Sequence, residues 1–148
     1  MQSLNFPKFN FRFKNSEKGV QIFDIIRKKF VVLQPEEWVR QHAVHYLIEN
    51  LNYPKNYINV EKQLKLNKLT KRTDIIVFDA IGNLEILVEC KAPYVNIDQL
   101  TFDQIARYNL AANAKFLMVT NGLSHYYCQM DYGDEKYNFI PELPEFSR

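Results

Sequence analysis

Residues 73–91 read TDIIVFDAIGNLEILVECK, and this stretch decides the fold. Apolar runs at 75–78 and 86–88 flank Ala80-Ile81-Gly82-Asn83, a turn signal. Asp74 opens the first run, and an acid-x-Lys triplet, Glu89-Cys90-Lys91, ends the second. A hairpin with a symmetric two- or four-residue loop sets Asp79 opposite Leu84 and Asp74 opposite Glu89. Directly opposed residues project from one sheet face with Cβ atoms about 4.5–5.5 Å apart. Lys91, two residues past Glu89, shares that face. Two carboxylates and one ammonium then meet at one strand end, a set that can take a hard cation and a phosphate together. A three- or five-residue loop would turn Asp74 to the other face.

A solvated strand end with a surface ion pair is the competing reading of these charges. Like charges directly opposed destabilise a hairpin, so a purely structural role needs Lys91 as compensation. The neighbours Ile75, Ile76, Val77, Phe78, Ile86, Leu87 and Val88 are apolar on both faces. That pattern marks strands covered on both sides, where a charge is costly unless it is paired or bound to metal. The site reading is therefore favoured.

Composition narrows the class. The chain has 148 residues, 47% apolar and 24% charged, which suits one globular core rather than a disordered segment. No apolar run approaches the ~20 residues of a membrane span, and the start, MQSLNFPKFNFRFK, has no apolar signal core. Cys90 and Cys128 lack metal-type spacing and suit free thiols in a reducing compartment, so a cytoplasmic protein without membrane partners is expected. A net charge of +2 does not by itself imply nucleic-acid binding but allows a local basic patch.

Periodicity and breakers order the elements. Residues 9–14 (FNFRFK) alternate apolar and polar, a strand pattern. Two short apolar runs over 20–33 surround Arg27-Lys28-Lys29, so the first ~34 residues read as a small β layer or edge hairpin. Pro35 opens a helix, PEEWVRQHAVHYLIENL, that stops before Tyr53-Pro54. Residues 57–66 read as a strand, and the hairpin follows. A second helix is expected over about 97–112. Strands are expected at 115–120, 124–130 and 136–140. The result is an α/β fold: a mixed β-sheet flanked by helices, with a β-rich N-terminal extension.

The first helix brings further acids. Val39, Ala43 and Leu47, at i, i+4 and i+8, mark its buried stripe. Glu36 projects near that stripe, whereas Glu37 lies about 100° further round. Acids in a first turn are favoured by the helix dipole whatever their function; Glu37 reads as structural, and Glu36 is open between structure and site. His42 and His45 read as solvent or rim residues, since no further Cys or His partner has metal-type spacing. In the second helix, Leu100, Ile105 and Ala112 are expected to be buried. Gln104 and Tyr108, i and i+4, point the same way; on spacing alone they form an ordinary polar face. Lys62, Lys65, Lys71, Arg72 and Arg107 read as solvated charges. The stretch 68–72 (KLTKR) is the best candidate for an edge that touches a nucleic-acid backbone.

Asp74, fourteen intervening residues and Glu89-Cys90-Lys91 resemble the signature of the PD-(D/E)xK nuclease superfamily, with Thr73 in place of the proline. PEEWVRQ, LNYPKNYINVE, RTDIIVF, VECKAP, QIARY and TNG, in that order over roughly 30–125, resemble the N-terminal nuclease domain of type I restriction enzyme R subunits and its stand-alone relatives. Gln104-x-x-x-Tyr108 resembles the QxxxY motif of the RecB-like branch. The resemblance implies a restriction-endonuclease-like fold in one nuclease-like domain over 1–148: an extension over 1–34, a core over about 35–125, and C-terminal strands over 126–148. Full R subunits carry an ATP-driven translocase. The chain shows no G-x-x-x-x-G-K-[ST] loop, so a free-standing relative, or a component acting with other restriction-system or motor subunits, is expected.

The chemistry implied is Mg²⁺- or Mn²⁺-dependent hydrolysis of DNA phosphodiesters. Asp74, Glu89, Glu36 and the Cys90 backbone carbonyl would hold the metal through oxygen. Lys91 would orient water or meet developing charge, and Gln104 and Tyr108 would organise the site and the DNA. The competing expectation is a nuclease-fold DNA-binding or subunit-docking module without catalysis.

Overall fold

The two apolar runs around Gly82 form the central hairpin of the computed structural model, which describes residues 1–66, 69–110 and 112–147. The strands are β1 (Phe13–Ser16), β2 (Gly19–Asp24), β3 (Lys29–Val32), β4 (Ile58–Val60), β5 (Gln63–Leu66), β6 (Leu69–Arg72), β7 (Ile75–Phe78), β8 (Leu84–Cys90), β9 (Phe116–Thr120), β10 (His125–Asp131) and β11 (Lys136–Ile140). The helices are α1 (Pro35–Glu49) and α2 (Gln99–Leu110). Six strands make one sheet in the order β11-β10-β9-β8-β7-β4, a second sheet is β1-β2-β3, and β5-β6 is a two-stranded ribbon. Within the large sheet β8 and β9 run parallel and the other pairs antiparallel. A parallel pair needs a long crossover, and α2 lies in it. The expected mixed sheet flanked by helices is the observed architecture.

Side-chain alternation separates two cores. Ile75, Val77, Ile86, Val88 and Cys90 pack with Val39, Ala43, Val44 and Leu47 of α1. Ile76, Leu87, Leu117 and Val119 pack with Phe102 and Ala106 of α2 on the other face. The central strands are thus covered on both sides, as their unbroken apolar runs require. Among the described residues no helix is long and apolar enough to cross a membrane.

The hairpin register is the symmetric one where it matters. Ile75 pairs with Val88, Ile76 with Leu87 and Val77 with Ile86. The paired ladder ends at Ile75–Val88, and Asp74 and Glu89 lie just beyond it. At the turn the pairing shifts by one, so Leu84 faces Phe78 rather than the expected Asp79. Asp79 instead closes the loop: its Oδ1 accepts from the Ile81 and Asn83 N–H groups at 3.0 and 2.8 Å. A carboxylate that binds its own turn withdraws its residue from the ladder.

Several expectations are corrected. The expected strand over 9–14 begins only at Phe13. The alternation before it is real but serves a helix: Phe9 and Phe11 lie against His45 at 5.6 and 4.6 Å, and Phe11 against Trp38 at 5.2 Å. His42 and His45 are consequently buried, not rim residues. The expected strand over 57–66 is split at Glu61, whose φ of 52° belongs to no strand. The second helix spans Gln99–Leu110 rather than 97–112, and Leu100 is 67% exposed. Phe102, Ala106 and Asn109 carry its buried face, because Phe102 offers more apolar area than Leu100. In the 68–72 stretch, Lys68 and the side chains before Arg72 lie outside the described residues.

The N-terminal arm is tied down by more than rings. The Asn5 N–H donates to the Gly122 carbonyl at 2.7 Å, and Trp38 Nε1 donates to the Gln2 carbonyl at 2.7 Å. Gly122 has φ +86°, and a Cβ there would meet Leu4 at 2.8 Å, so only glycine serves. Helix α1 is thus enclosed by the large sheet on one side and the aromatic arm on another.

That enclosure gives a pH dependence. His42, His45 and His125 are all held below the ordinary value of 6.5, in each case chiefly because burial disfavours the charged ring. A folded state that refuses protons loses stability once the unfolded chain begins to take them up. The histidine contribution is therefore complete above about pH 6.5 and is lost as the pH falls below it. Thermal unfolding followed by circular dichroism should give a lower Tm at pH 6.0 than at pH 7.5, and a flat profile would contradict the enclosure.

Candidate functional site

The first turn of α1, the start of β7 and the end of β8 meet at one end of the large sheet. Pro35 occupies the first turn of α1, where its missing N–H costs nothing. That start presents Glu36 and Glu37 to the strand ends. Asp74 is placed by its backbone: its carbonyl accepts from the Glu61 N–H at 2.8 Å. The preceding Thr73 donates its N–H and its hydroxyl to the Lys62 carbonyl, each at 3.1 Å. A proline at position 73 would lack that N–H.

Asp74 accepts two hydrogen bonds, one on each oxygen. Arg40 Nη2 donates to Oδ1 at 2.9 Å, and the Cys90 N–H donates to Oδ2 at 2.8 Å. Arg40 Nη2 also reaches Glu36 Oε1 at 3.2 Å. Glu36 and Asp74 are thus held to one guanidinium. The Glu36 carboxyl is pushed above its ordinary value by burial first and by the Asp74 charge second, with Arg40 and Lys91 pulling the other way. Two carboxylates that repel each other beside a lysine are the electrostatic pattern of a cation- and phosphate-binding site.

Glu37 points elsewhere. Its Oε1 accepts from Arg40 Nη1 and Arg27 Nη2, both at 2.9 Å, and its Oε2 accepts from Gln41 Nε2 at 3.1 Å. Asp24 extends the network: Oδ2 accepts from Arg27 Nε at 2.7 Å and from Gln41 Nε2 at 2.9 Å. Burial alone would push the Asp24 carboxyl up, but the hydrogen bonds from Arg27 and Gln41 outweigh it and hold the group below its ordinary value. Glu61 joins through Arg27 and Arg40 at 3.5 and 3.3 Å and is also bound by Arg72. Glu37 is therefore the structural acid of the pair, and Glu36, whose side chain is 46% exposed, is the one open to a ligand.

The residues singled out in the sequence divide into two groups. Glu36 and Asp74 share Arg40, the Cys90 backbone supports Asp74, and Lys91 acts on the Glu36 charge. Glu89 follows Val88, where the hairpin ladder ends, and pairs with Val119 of β9. Gln104 and Tyr108 are on the exposed side of α2, with Tyr108 60% exposed, and α2 covers the opposite sheet face from α1. The charge compensation expected of Lys91 is supplied first by Arg40. Sequence reading missed Arg40, Arg27, Asp24 and Gln41. The spacing of Glu36, Glu37, Arg40 and Gln41, at i+3 and i+4 along one helix, carried part of that signal.

Among the described residues no three His, Cys, Asp or Glu side chains are grouped so as to hold a metal ion. The donor chemistry nevertheless suits a hard cation. A carboxylate offers about four lone-pair sites, of which the two bonds to Asp74 take two. Arg40 already supplies one positive charge at this place, so a cation bound there shares Asp74 with the guanidinium.

Arg40 is buried, and removing it would take from Asp74 the guanidinium it is bonded to and leave Glu37 with Arg27 alone. Arg40→Met should destabilise the fold by about 3–5 kcal/mol, read as a fall in the urea midpoint. Glu36→Gln should leave stability unchanged or slightly raised, because folding disfavours the charged Glu36 carboxyl. A marked loss from Glu36→Gln would show that this acid, too, is structural.

Comparison with known proteins yields one family. The family model described as the type I restriction enzyme R protein N terminus matches residues 35–144. Among solved structures, the chain is similar to a fragment assigned to an HsdR subunit of a type I restriction enzyme from Vibrio vulnificus YJ016, with 20% identity and a TM-score of 0.46. That likeness covers 69% of this chain and 22% of the other, so this chain spans well under half the length of that one. No curated protein matches. The match over 35–144 begins at the first residue of α1 and runs past β11, so it takes in both helices and the whole large sheet, and the chain belongs to the family of type I restriction enzyme R protein N-termini.

Proposed function

We propose that this domain is a metal-dependent DNA endonuclease of the PD-(D/E)xK type that serves a type I restriction system in the cytoplasm. The observation that carries the reading is the convergence of Glu36 and Asp74 on one guanidinium, with the Asp74 charge raising the cost of charge on Glu36 and Lys91 lowering it. Asp74, Glu89, Glu36 and the Cys90 backbone carbonyl would hold Mg²⁺ or Mn²⁺. When bound, such an ion supplies charge neutralisation and an activated water. Lys91 offers a mobile ammonium to the scissile phosphate as negative charge develops. The Cys90 N–H and Arg40 keep the Asp74 carboxylate in one orientation, so no reorganisation is needed as phosphate arrives. Gln104 and Tyr108, exposed on α2, would contact the DNA. DNA is the substrate in this reading, and other subunits of the restriction system are the partners.

One observation favours a second reading. Arg40 neutralises Asp74 directly, and among the described residues no three acids are grouped for a metal. A module that keeps the nuclease fold but only binds DNA or docks a partner subunit would look the same.

Cleavage separates the two. In Mg²⁺ or Mn²⁺, the protein should cut at least one of duplex, branched or single-stranded DNA. Glu89→Ala and Lys91→Ala should each lower the rate by about 10²-fold or more. DNA affinity should change little, because it is spread over many basic contacts. If the metal-loaded protein cuts no form, yet binds DNA with an affinity indifferent to Glu89→Ala, the binding-module reading holds. Metal uptake provides an independent measurement: calorimetric titration with Mn²⁺ should show binding that weakens in Asp74→Asn.

A further inference from the structure

The matched family region begins at Pro35, and the 34 residues before it have a charge of their own. They hold seven Lys and Arg against Glu17 and Asp24, a net charge of +5 in a chain whose total is +2. Residues 35–148 therefore carry −3, and the net positive charge of the protein comes from its first 34 residues.

The register of that sheet sorts its side chains. Phe13, Ile22 and Val31 are paired across the three strands, as are Lys14, Gln21 and Val32 one step along. Successive residues alternate between faces. Ile22 and Asp24 are fully buried, so their face is the inner one. Lys14, Gln21, Phe23 and Phe30 then share the outer face.

That face is built as an aromatic platform under cations. Phe23 and Phe30 are directly paired and their rings lie 5.2 Å apart. The Arg12 guanidinium sits 4.5 Å from the Phe23 ring centre and 5.6 Å from that of Phe30. Lys14 Nζ sits 4.6 Å from the Phe30 ring centre. Both cations belong to exposed residues, as do Lys28 and Lys29 at the β2–β3 turn. Both rings are half-buried and both cations exposed; a cation over a ring at such a solvated site is held weakly, so a base can take its place on the open part of the ring while the cation moves to the adjoining phosphate.

We propose that the outer face of the β1-β2-β3 sheet binds a single strand of DNA, with bases stacked on Phe23 and Phe30 and phosphates met by Arg12, Lys14 and, at the turn, Lys28. Charge complementarity selects a polyanion. The paired rings on a small sheet select unpaired bases, whose faces are free to stack, over a duplex, whose base faces are already covered. The turn that carries Lys28 and Lys29 also carries Arg27, which pairs with Glu37 and Glu61, both partners of Arg40. The turn at one end of this sheet thus joins the ion network of the candidate site. The proposal concerns binding alone and does not depend on cleavage.

The test is fluorescence anisotropy on the full chain in EDTA, over a range of salt concentrations. The probes are a labelled oligothymidine of about 16 nucleotides and a mixed-sequence duplex of equal length. Wild-type protein should prefer the single strand. Arg12→Gln with Lys14→Gln should weaken single-strand binding by about tenfold or more and lower the salt slope by about 1.4, at roughly 0.7 for each lost phosphate contact. Phe23→Leu with Phe30→Leu keeps apolar volume and removes stacking. It should weaken the single strand by about tenfold or more, with the salt slope and duplex binding unchanged. Preference for duplex in the wild-type protein overturns the proposal. So does wild-type affinity in the Arg12–Lys14 variant, a test that stands even if the Phe23–Phe30 variant fails to fold. A protein that cuts no DNA yet shows these losses keeps this proposal and loses the nuclease reading. One that cuts DNA while the Arg12–Lys14 variant binds like wild type does the reverse.

Discussion

Arg40 reaches four carboxylates, Glu36, Glu37, Glu61 and Asp74, from a buried position on α1. A guanidinium taken from water costs several kcal/mol unless its donors are matched, and here Nη1 and Nη2 are both bound to acids. The planar fork suits this role better than a lysine, because one rigid group must serve partners from α1, the β4–β5 break and the start of β7. Its Nε is buried with no hydrogen-bond partner among the described residues, so the matching is incomplete at one atom. This contact sets the first turn of α1 against the end of the sheet, and the placement of Asp74 and Glu36 follows from it.

The rest of the architecture keeps α1 in place around that contact. Val39, Ala43, Val44 and Leu47 pack on the large sheet. Phe6, Phe9 and Phe11 cover the histidine side of the helix. Arg27 binds Glu37 from the β2–β3 turn. The N-terminal extension thus has two consequences. Its inner face and arm bury one side of α1, and its charged turn completes the ion network beside the candidate site.

Much of this was legible because each signal is local. The hairpin register follows from turn length and alternation, and the ladder from Ile75–Val88 to Val77–Ile86 keeps it. The phase of α1 follows from Val39, Ala43 and Leu47, and the same phase separates Glu36 from Glu37. The misses have a common cause. Phe9 and Phe11 alternate like a strand, but an extended arm laid on a helix gives the same pattern. His42 and His45 are polar by type and buried by contact with that arm. Leu100 is apolar and exposed because Phe102 took the place against the sheet.

The sequence by itself determined the element order, the central hairpin with Ile75 set opposite Val88, and the buried stripe of α1. These depend on periods of two and 3.6 residues and on turn chemistry, which act over a few neighbours. Only the tertiary structure decided that Arg40 would join Glu36 to Asp74, that α2 would turn Gln104 and Tyr108 outward on the opposite face, and that a basic aromatic sheet face would stand beside the acids. Each of these pairs groups distant in the chain, such as Arg40 and Asp74. No local period encodes such a pairing; it exists once packing has excluded water and left each buried charge only the opposite charges packed against it.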